Sequence, residues 1–171
     1  MSDLQQAVLG TPVGPIVVTV GSAGVCQVSW VSPGVPPVVD LPGTPTGADD
    51  VLTEAVTQLT EYFAGSRREF SMPVDLAAVA PTARDVLLAL QQVPYGTSIT
   101  YGALAELSGT GLPARAIGSV MGANPVPILI PCHRVLAGDG LGGYSGGLPG
   151  QGVETKRWLL ELEGALQSRL W

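Results

Sequence analysis

The only histidine in the chain directly follows one of its two cysteines, in the segment Pro131-Cys132-His133-Arg134. A cysteine becomes a nucleophile when it loses its proton, and a nearby imidazole, helix N-terminus or cation lowers the thiol pKa from about 8.5. All three are candidates at this segment, so Cys132 is the predicted nucleophile and His133 the predicted base. Because adjacent residues of an extended chain point in opposite directions, we expect His133 to act through a water molecule.

A histidine that serves as a base needs a carboxylate to orient its ring. The sequence offers Glu163, Glu106 and Asp139 for this role, and the residues alone leave the choice open. The second cysteine, Cys26, lies in an apolar strand pattern and is interpreted as an inert, packed residue. With a single histidine and scattered acids, we expect no metal.

Length and composition restrict the class of protein. The chain has 171 residues, 46% hydrophobic and 13% charged, which is enough for one ordinary folded domain or two small ones. It shows neither an apolar run of about 18 residues nor a secretory signal, so we expect a cytoplasmic protein with reduced thiols and no membrane contact. The net charge is −6, and residues 1–71 carry most of it, with two basic against seven acidic side chains. An acidic balance of this kind gives little long-range attraction to nucleic acid.

The sequence predicts an α/β protein whose front part is a small antiparallel sheet with one helix. Short apolar runs separated by turns indicate three strands, and a 3- and 4-residue apolar spacing indicates the helix. Residues 1–71 form the predicted N-terminal support domain, followed by a connector at 72–80. The strands are predicted at 7–9, 15–20 and 25–30, a proline- and glycine-rich loop at 31–47 and the helix at 49–65.

The sequence of residues 81–171 predicts a mainly helical lobe with a helix-turn-helix motif and an active-site turn. A helix begins at Pro81, and two short helices flank a turn of serine, glycine and threonine. A strand-like apolar run then leads into Cys132, and the last helix begins near Glu154 with an apolar face that reaches Leu166. The two short helices are predicted at 98–107 and 113–122, the turn between them at 108–111 and the strand-like run at 124–131.

Seven spaced motifs between residues 93 and 164 resemble the O6-alkylguanine-DNA alkyltransferases, also called methylated-DNA–protein-cysteine methyltransferases. The segment Ile130-Pro131-Cys132-His133-Arg134-Val135 is the most specific of them. The other matching pieces are Pro94-Tyr95-Gly96, Thr100-Tyr101-Gly102, Arg115-Ala116-Ile117-Gly118, Asn124-Pro125, Gly143-Tyr144-Ser145-Gly146-Gly147, and Lys156 with Leu159-Leu160 and Glu163.

The resemblance implies a cofactor-free DNA repair reaction that each molecule performs once. Cys132 would take the alkyl group from O6-alkylguanine in double-stranded DNA as a permanent thioether, after the nucleotide has flipped out of the duplex. It implies that His133 accepts the thiol proton through water and that Glu163 orients His133. It also implies that Asn124 braces the turn before Cys132 and that Tyr101 contacts the nucleotide and helps to protonate the purine at N3.

The resemblance further implies that the helix at 113–122 enters the minor groove of the DNA, with the protein acting as a monomer. Arg115 would fill the gap that the flipped nucleotide leaves, while the small residues Ala114, Ala116 and Gly118 permit close approach. The implied pocket for the base and its alkyl group consists of Pro127, Val135, Tyr144, Ser145 and Gly146.

The chain departs from the family pattern in two places. Thr82 and Leu87 stand where relatives commonly carry phenylalanine and tryptophan, which predicts weaker packing of that helix. The loop at 148–155 is longer than usual, so we expect a pocket that opens wider and accepts larger alkyl groups. Two other function classes stay open on the residues: a Cys-His hydrolase, and a non-catalytic module that binds alkylated DNA, against which the presence of Cys132 argues.

Overall fold

The computed structural model describes residues 4–32 and 47–166. The chain begins with a three-stranded antiparallel sheet in the order β1-β2-β3, and helix α1 packs against all three strands. The central strand β2 is buried along almost its whole length, since it has a neighbour on each side and α1 across one face. The predicted α/β class with its small antiparallel sheet is therefore confirmed, while most of the predicted loop at 31–47 lies outside the described residues. These elements are β1 (Gln5–Leu9), β2 (Ile16–Gly21), β3 (Gly24–Trp30) and α1 (Gly47–Phe63).

The connector after α1 is tied to the sheet through strand β3. The backbone N–H of Val25 donates to the carbonyl of Pro73 at 2.9 Å, and the N–H of Asp75 donates to the carbonyl of Val25 at 2.8 Å. Gly24 permits this approach, because its φ is +138° and a Cβ at this position would lie 2.4 Å from the Pro73 carbonyl oxygen. The connector thus packs tightly on the sheet, and the division of the chain at 72–80 stays a prediction.

Between residues 81 and 166 the structure has four α-helices and two short strands. Helix α2 begins with Pro81, whose fixed φ suits a first helical turn, and its Leu87 is buried in the core. Strands β4 and β5 pair in parallel, and α3 and α4 form the helix-turn-helix. Within the described ranges, no helix is both long and apolar enough to cross a membrane. The elements are α2 (Pro81–Leu90), β4 (Ile99–Thr100), α3 (Tyr101–Ser108), α4 (Ala114–Gly122), β5 (Val135–Leu136) and α5 (Gly152–Leu162).

Two predicted helix boundaries were wrong for local reasons. The helix expected from residue 98 begins at Tyr101, because Ile99 and Thr100 pair with β5 and the Thr100 hydroxyl accepts a hydrogen bond from the N–H of Ala103 at 3.1 Å. The last helix ends at Leu162 and does not reach Leu166, because Gly164 takes a left-handed φ of 76°.

The strand predicted at 124–131 is instead a tight turn. Proline residues at 125 and 127 lack the N–H groups that a strand ladder needs. The prediction was wrong because it rested only on the apolar character of this segment. The Asn124 side chain holds the turn, donating to the Ile130 carbonyl at 2.9 Å and accepting from the N–H of Val126 at 3.1 Å. Ile128 within the turn is buried at a φ of 75°, a conformation that a β-branched residue adopts only under constraint. The turn sets the direction in which the chain enters Cys132.

Candidate active site

Cys132 begins a single 3₁₀ turn, and its side chain reaches a cavity of about 320 Å³. The residue is only 4% exposed, so the sulfur is accessible through this cavity and hardly at all from bulk solvent. The walls come from both helices of the helix-turn-helix and from the glycine-rich loop after β5. The other lining residues are Tyr101, Gly118, Met121, Gly122, Gly143, Tyr144 and Ser145.

The thiol of Cys132 is protonated at rest, contrary to the lowered pKa expected from the sequence. Burial raises its pKa above the ordinary value, and this effect outweighs the opposing hydrogen bond from Asn124 and the charge of Lys156. A 3₁₀ turn of three residues also supplies only a weak helix N-terminus. The site therefore needs a proton acceptor before the sulfur can attack.

The structure selects one of the three candidate carboxylates. The Nε2 atom of His133 lies 2.7 Å from Oε1 of Glu163, and both side chains are completely buried. Glu106 and Asp139 are exposed. Glu163 follows the last residue of α5, so the end of that helix delivers the carboxylate to the histidine.

Glu163 is surrounded by hydrogen-bond donors. Arg134 donates to both carboxylate oxygens, from Nε to Oε2 at 2.9 Å and from Nη2 to Oε1 at 2.9 Å. The Tyr62 hydroxyl also donates to Oε1, at 2.8 Å. Burial by itself would raise the pKa of Glu163, but the bonds to His133 and Arg134 overcome it and lower the pKa to about 2. Glu163 is thus a buried, ionised acceptor.

The ionised carboxylate fixes the tautomer of His133. A carboxylate can only accept, so the hydrogen between the two groups sits on Nε2. Burial lowers the pKa of His133 even though Glu163 opposes the shift, so the ring is neutral and Nδ1 carries a lone pair. Nδ1 is buried and makes no hydrogen bond within the described part of the chain. The histidine is arranged to receive a proton at Nδ1.

Lys156 holds the glycine-rich loop against β5. Its side chain is fully buried, and Nζ donates to the carbonyls of Val135 at 2.6 Å and Gly143 at 3.0 Å. Burial lowers its pKa to about 8, against the influence of Cys132. No role for Lys156 is predicted from the sequence, although a lysine three and four residues before Leu159 and Leu160 occupies the apolar face of a helix.

The predicted pocket residues occupy two adjoining cavities. Tyr144 and Ser145 line the cavity of Cys132, whereas Pro127 and Gly146 line a neighbouring one of about 330 Å³ together with Trp30 of β3. Val135 is completely buried and lines neither cavity, and its carbonyl already accepts from the lysine at 156. The Tyr144 ring meets Trp30 edge to face at 6.2 Å, so the N-terminal sheet supports the pocket wall, which the sequence did not indicate.

Four of the five predicted DNA-binding residues lie on α4 beside the cavity, and the fifth, Tyr101, begins α3. Ala114 and Arg115 are exposed in the first turn of α4, while Ala116 and Gly118 are half-buried. Gly118 faces the cavity, and the half-buried Tyr101 at the start of α3 lies opposite it. The cavity therefore opens next to the helix that the sequence assigns to DNA.

The longer loop predicted at 148–155 spans only residues 148–151, because α5 begins at Gly152, and the loop is packed down in the structure. Leu148 lies against Gly14, where a Cβ would come within 2.9 Å of its side chain, and Gly147 lies against Thr155 in the same way at 2.5 Å. The expected tolerance for larger alkyl groups stays a prediction. Across residues 4–32 and 47–166, no three His, Cys, Asp or Glu side chains cluster around a position that could hold a metal ion.

The fold and site together define a helix-turn-helix protein with a cysteine at the end of a cavity that opens beside its second helix. Two family models match the chain: the DNA binding domain of 6-O-methylguanine DNA methyltransferase at residues 81–165, and its ribonuclease-like domain at residues 5–76. The chain belongs to the family of methylated-DNA–protein-cysteine methyltransferases. The resemblance inferred from the sequence is thereby confirmed.

Two relatives cover 77% and 93% of the chain. A methylated-DNA–protein-cysteine methyltransferase of Methanopyrus kandleri is 42% identical over 135 residues, covering 77% of this chain and 97% of its own. One from Methanosarcina acetivorans is 32% identical, covering 93% and 97% respectively. The crystal structure of Mycobacterium tuberculosis O6-methylguanine methyltransferase superposes with a TM-score of 0.76 at 32% identity, covering 98% of this chain and 96% of that one. The structure of M. tuberculosis OGT in complex with DNA gives a TM-score of 0.75 at 33% identity, with 94% and 93% covered.

The buried histidine and glutamate predict a loss of stability in acid. The pKa of His133 lies below its usual 6.5 and that of Glu163 below its usual 4.5, so the unfolded chain binds more protons than the folded one as the pH falls. We expect the free energy of unfolding to drop by about 1 kcal/mol between pH 7.5 and 5.5, where His133 dominates. Urea unfolding at several pH values measures this, and a stability independent of pH over that interval would contradict a neutral buried histidine.

Proposed function

We propose that this protein repairs O6-alkylguanine in duplex DNA by moving the alkyl group irreversibly onto the sulfur of Cys132. The family shown above performs alkyl transfer from DNA to a protein cysteine, which makes the chain a DNA-binding repair protein. The observation that carries the assignment to Cys132 is that its sulfur and α4 border one cavity. A duplex held on α4 needs to move only one nucleotide to bring it to the thiol.

The buried position of the sulfur requires the nucleotide to leave the duplex. A stacked guanine does not present its O6 substituent to a thiol at the end of a cavity, so the base must flip out at a cost of a few kcal/mol. The exposed Arg115 lies in the first turn of α4, where it can fill the place of the flipped base. The small residues on this helix suit the minor groove, where close approach is needed.

The side chains around the cavity support a balanced transfer reaction. His133 takes the Cys132 proton at Nδ1 through a water molecule, and the sulfur then attacks the alkyl carbon. The carbon–O6 bond breaks as the carbon–sulfur bond forms, and its electron pair passes into the purine, which gains a proton in compensation. Tyr101 lines the cavity with a pKa raised above the usual value, mainly by burial, so its hydroxyl is a hydrogen-bond donor suited to the purine at N3.

Intact mass spectrometry tests the proposal directly. The protein is incubated, without added cofactor, with a duplex oligonucleotide that carries one O6-methylguanine. We expect each molecule to act as a monomer and to gain the mass of one methyl group, located on the Cys132 peptide. Repair with an unchanged protein mass would indicate a Cys-His hydrolase. Binding of the duplex without repair would indicate a non-catalytic module.

Replacing Arg115 by alanine is expected to slow repair of duplex DNA without affecting the chemistry at the sulfur. Loss of the side chain that fills the gap leaves the cost of base flipping uncompensated, and we expect about a tenfold slower transfer from the duplex. Transfer from the free base O6-benzylguanine needs no flipping and should proceed at the wild-type rate. Arg67→Ala, which removes an equal charge from a surface ion pair with Glu61, is the control. Equal slowing with both substrates would contradict the role of Arg115.

A further inference from the structure

Tyr62 lies near the end of α1, yet it touches the centre of the site in the other half of the chain. Its hydroxyl donates to Oε1 of Glu163 at 2.8 Å, across 101 positions of sequence. The Tyr62 side chain is completely buried. A buried hydrogen bond to an ionised carboxylate is among the stronger polar contacts in a protein.

We propose that Tyr62 is a positioning residue for alkyl transfer, whose hydroxyl holds Glu163 in the orientation that fixes the ring of His133. The inference rests on the proposed function, because it assigns Tyr62 a part in the proton transfer at the same site. It gives the N-terminal domain a direct influence on the chemistry in addition to its packing.

The arrangement of donors around Glu163 supports this role. Oε1 accepts from Tyr62, from Nε2 of His133 and from Nη2 of Arg134, whereas among the residues that the structure describes Oε2 accepts only from Nε of Arg134. The oxygen that holds the histidine is therefore the one that the tyrosine also holds. A carboxylate gripped by arginine alone keeps freedom to tilt, and the tyrosine removes that freedom from the side of the N-terminal domain.

The Tyr62 ring is itself immobilised, which a positioning group requires. Its centroid lies 5.4 Å from that of Phe63, 5.4 Å from that of Phe70 and 6.2 Å from that of Tyr95. Burial, together with the charge of Glu163, raises the pKa of Tyr62 well above its usual value, so the hydroxyl keeps its proton and remains a donor. The aromatic cluster thus presents one fixed O–H to the carboxylate.

Removing the hydroxyl has two separable consequences. The orientation of Glu163 is less restricted, so His133 is less often aligned to accept the thiol proton and transfer slows. The hydroxyl also takes up part of the negative charge on Oε1, so its loss leaves more charge for the imidazolium and raises the pKa of His133. The titratable and charged groups that face this pair are Tyr62 from α1, Tyr95, Cys132, Arg134, Tyr144 and Lys156 from α5.

The test is the pH profile of single-turnover transfer from O6-benzylguanine, which avoids any effect on DNA binding. For Tyr62→Phe we expect a plateau rate about tenfold below wild type and an acid limb moved to higher pH. The matched control is Tyr95→Phe, which removes a hydroxyl from the same cluster that donates to the Leu162 carbonyl at 3.3 Å and not to Glu163. We expect the control to keep both the plateau and the acid limb.

Several outcomes would overturn the inference. A Tyr62→Phe profile equal to wild type would mean that Arg134 alone suffices to orient Glu163. A lower plateau with an unmoved acid limb, or the same changes in Tyr95→Phe, would assign the effect to packing of the cluster. Wild-type protein that takes up no alkyl group from an O6-methylguanine duplex either would instead contradict the proposed function, independently of the tyrosine.

Discussion

Cys132→Ser is expected to abolish alkyl uptake while leaving the fold and DNA binding intact. A serine hydroxyl is a far weaker nucleophile than a thiol and ionises only at much higher pH, and a neutral buried His133 cannot compensate for that difference. We expect the transfer rate to fall by at least about 10³-fold. The measurements are intact mass after exposure to O6-methylguanine duplex and a fluorescence titration with the same duplex.

Cys26→Ser provides the matched control for this experiment. Cys26 lies in β3, where its thiol is 3.6 Å from the Thr19 carbonyl, and it does not line the cavity of Cys132. Wild-type uptake by this variant, together with none by Cys132→Ser, would identify the acceptor sulfur. Uptake that persists without Cys132, or that fails without Cys26, would contradict the proposed mechanism.

The sequence could predict those parts of the site that contain a rare residue type or that depend on residues close together in the chain. The single histidine beside a cysteine indicated Cys132 and His133 without any structural information. The helix-turn-helix was predictable from apolar spacing between turn residues, since both helices depend on contacts a few residues away. From the residues alone Glu163 was one of three candidate acids, because no local pattern states which carboxylate the fold brings to the histidine, and only the resemblance to the family singled it out.

The parts that hydropathy could not predict depend on individual side-chain contacts. The turn before Cys132 is made by the Asn124 side chain, as the resemblance implied, and by a β-branched residue in a left-handed conformation, which no pattern indicated. Tyr62 was predicted only as one apolar position of a helix, although its hydroxyl donates to a carboxylate 101 residues later. The raised pKa of Cys132 likewise arises from burial, which no motif reveals. The contact of Tyr62 with Glu163 emerges only when the two halves of the chain pack together.

Glu163→Gln is expected to lower both stability and activity. The substitution keeps the size of the side chain but leaves the buried guanidinium of Arg134 without its counter-charge. Breaking such a pair costs about 3 kcal/mol of unfolding free energy, and the lowering of the Glu163 pKa from 4.5 to about 2 corresponds to a similar figure. Transfer should slow about 100-fold, because the imidazolium loses the charge that stabilises it. Urea unfolding and single-turnover kinetics measure the two effects, with Glu161→Gln on the same helix as control.

The pH dependence of this stability difference separates the charge of Glu163 from its shape. Above pH 4.5 the carboxylate is ionised in both folded and unfolded wild type, so its full contribution is present. As the pH falls through the interval from 4.5 to about 2, the unfolded chain takes up a proton that the folded site resists, and that contribution is lost. Glu163→Gln has no such proton to bind, so its stability should approach that of wild type as the solution is acidified. A gap between the two proteins that is the same at pH 7.5 and pH 3 would mean that the substitution disturbs packing and that the charge of Glu163 does not stabilise the site.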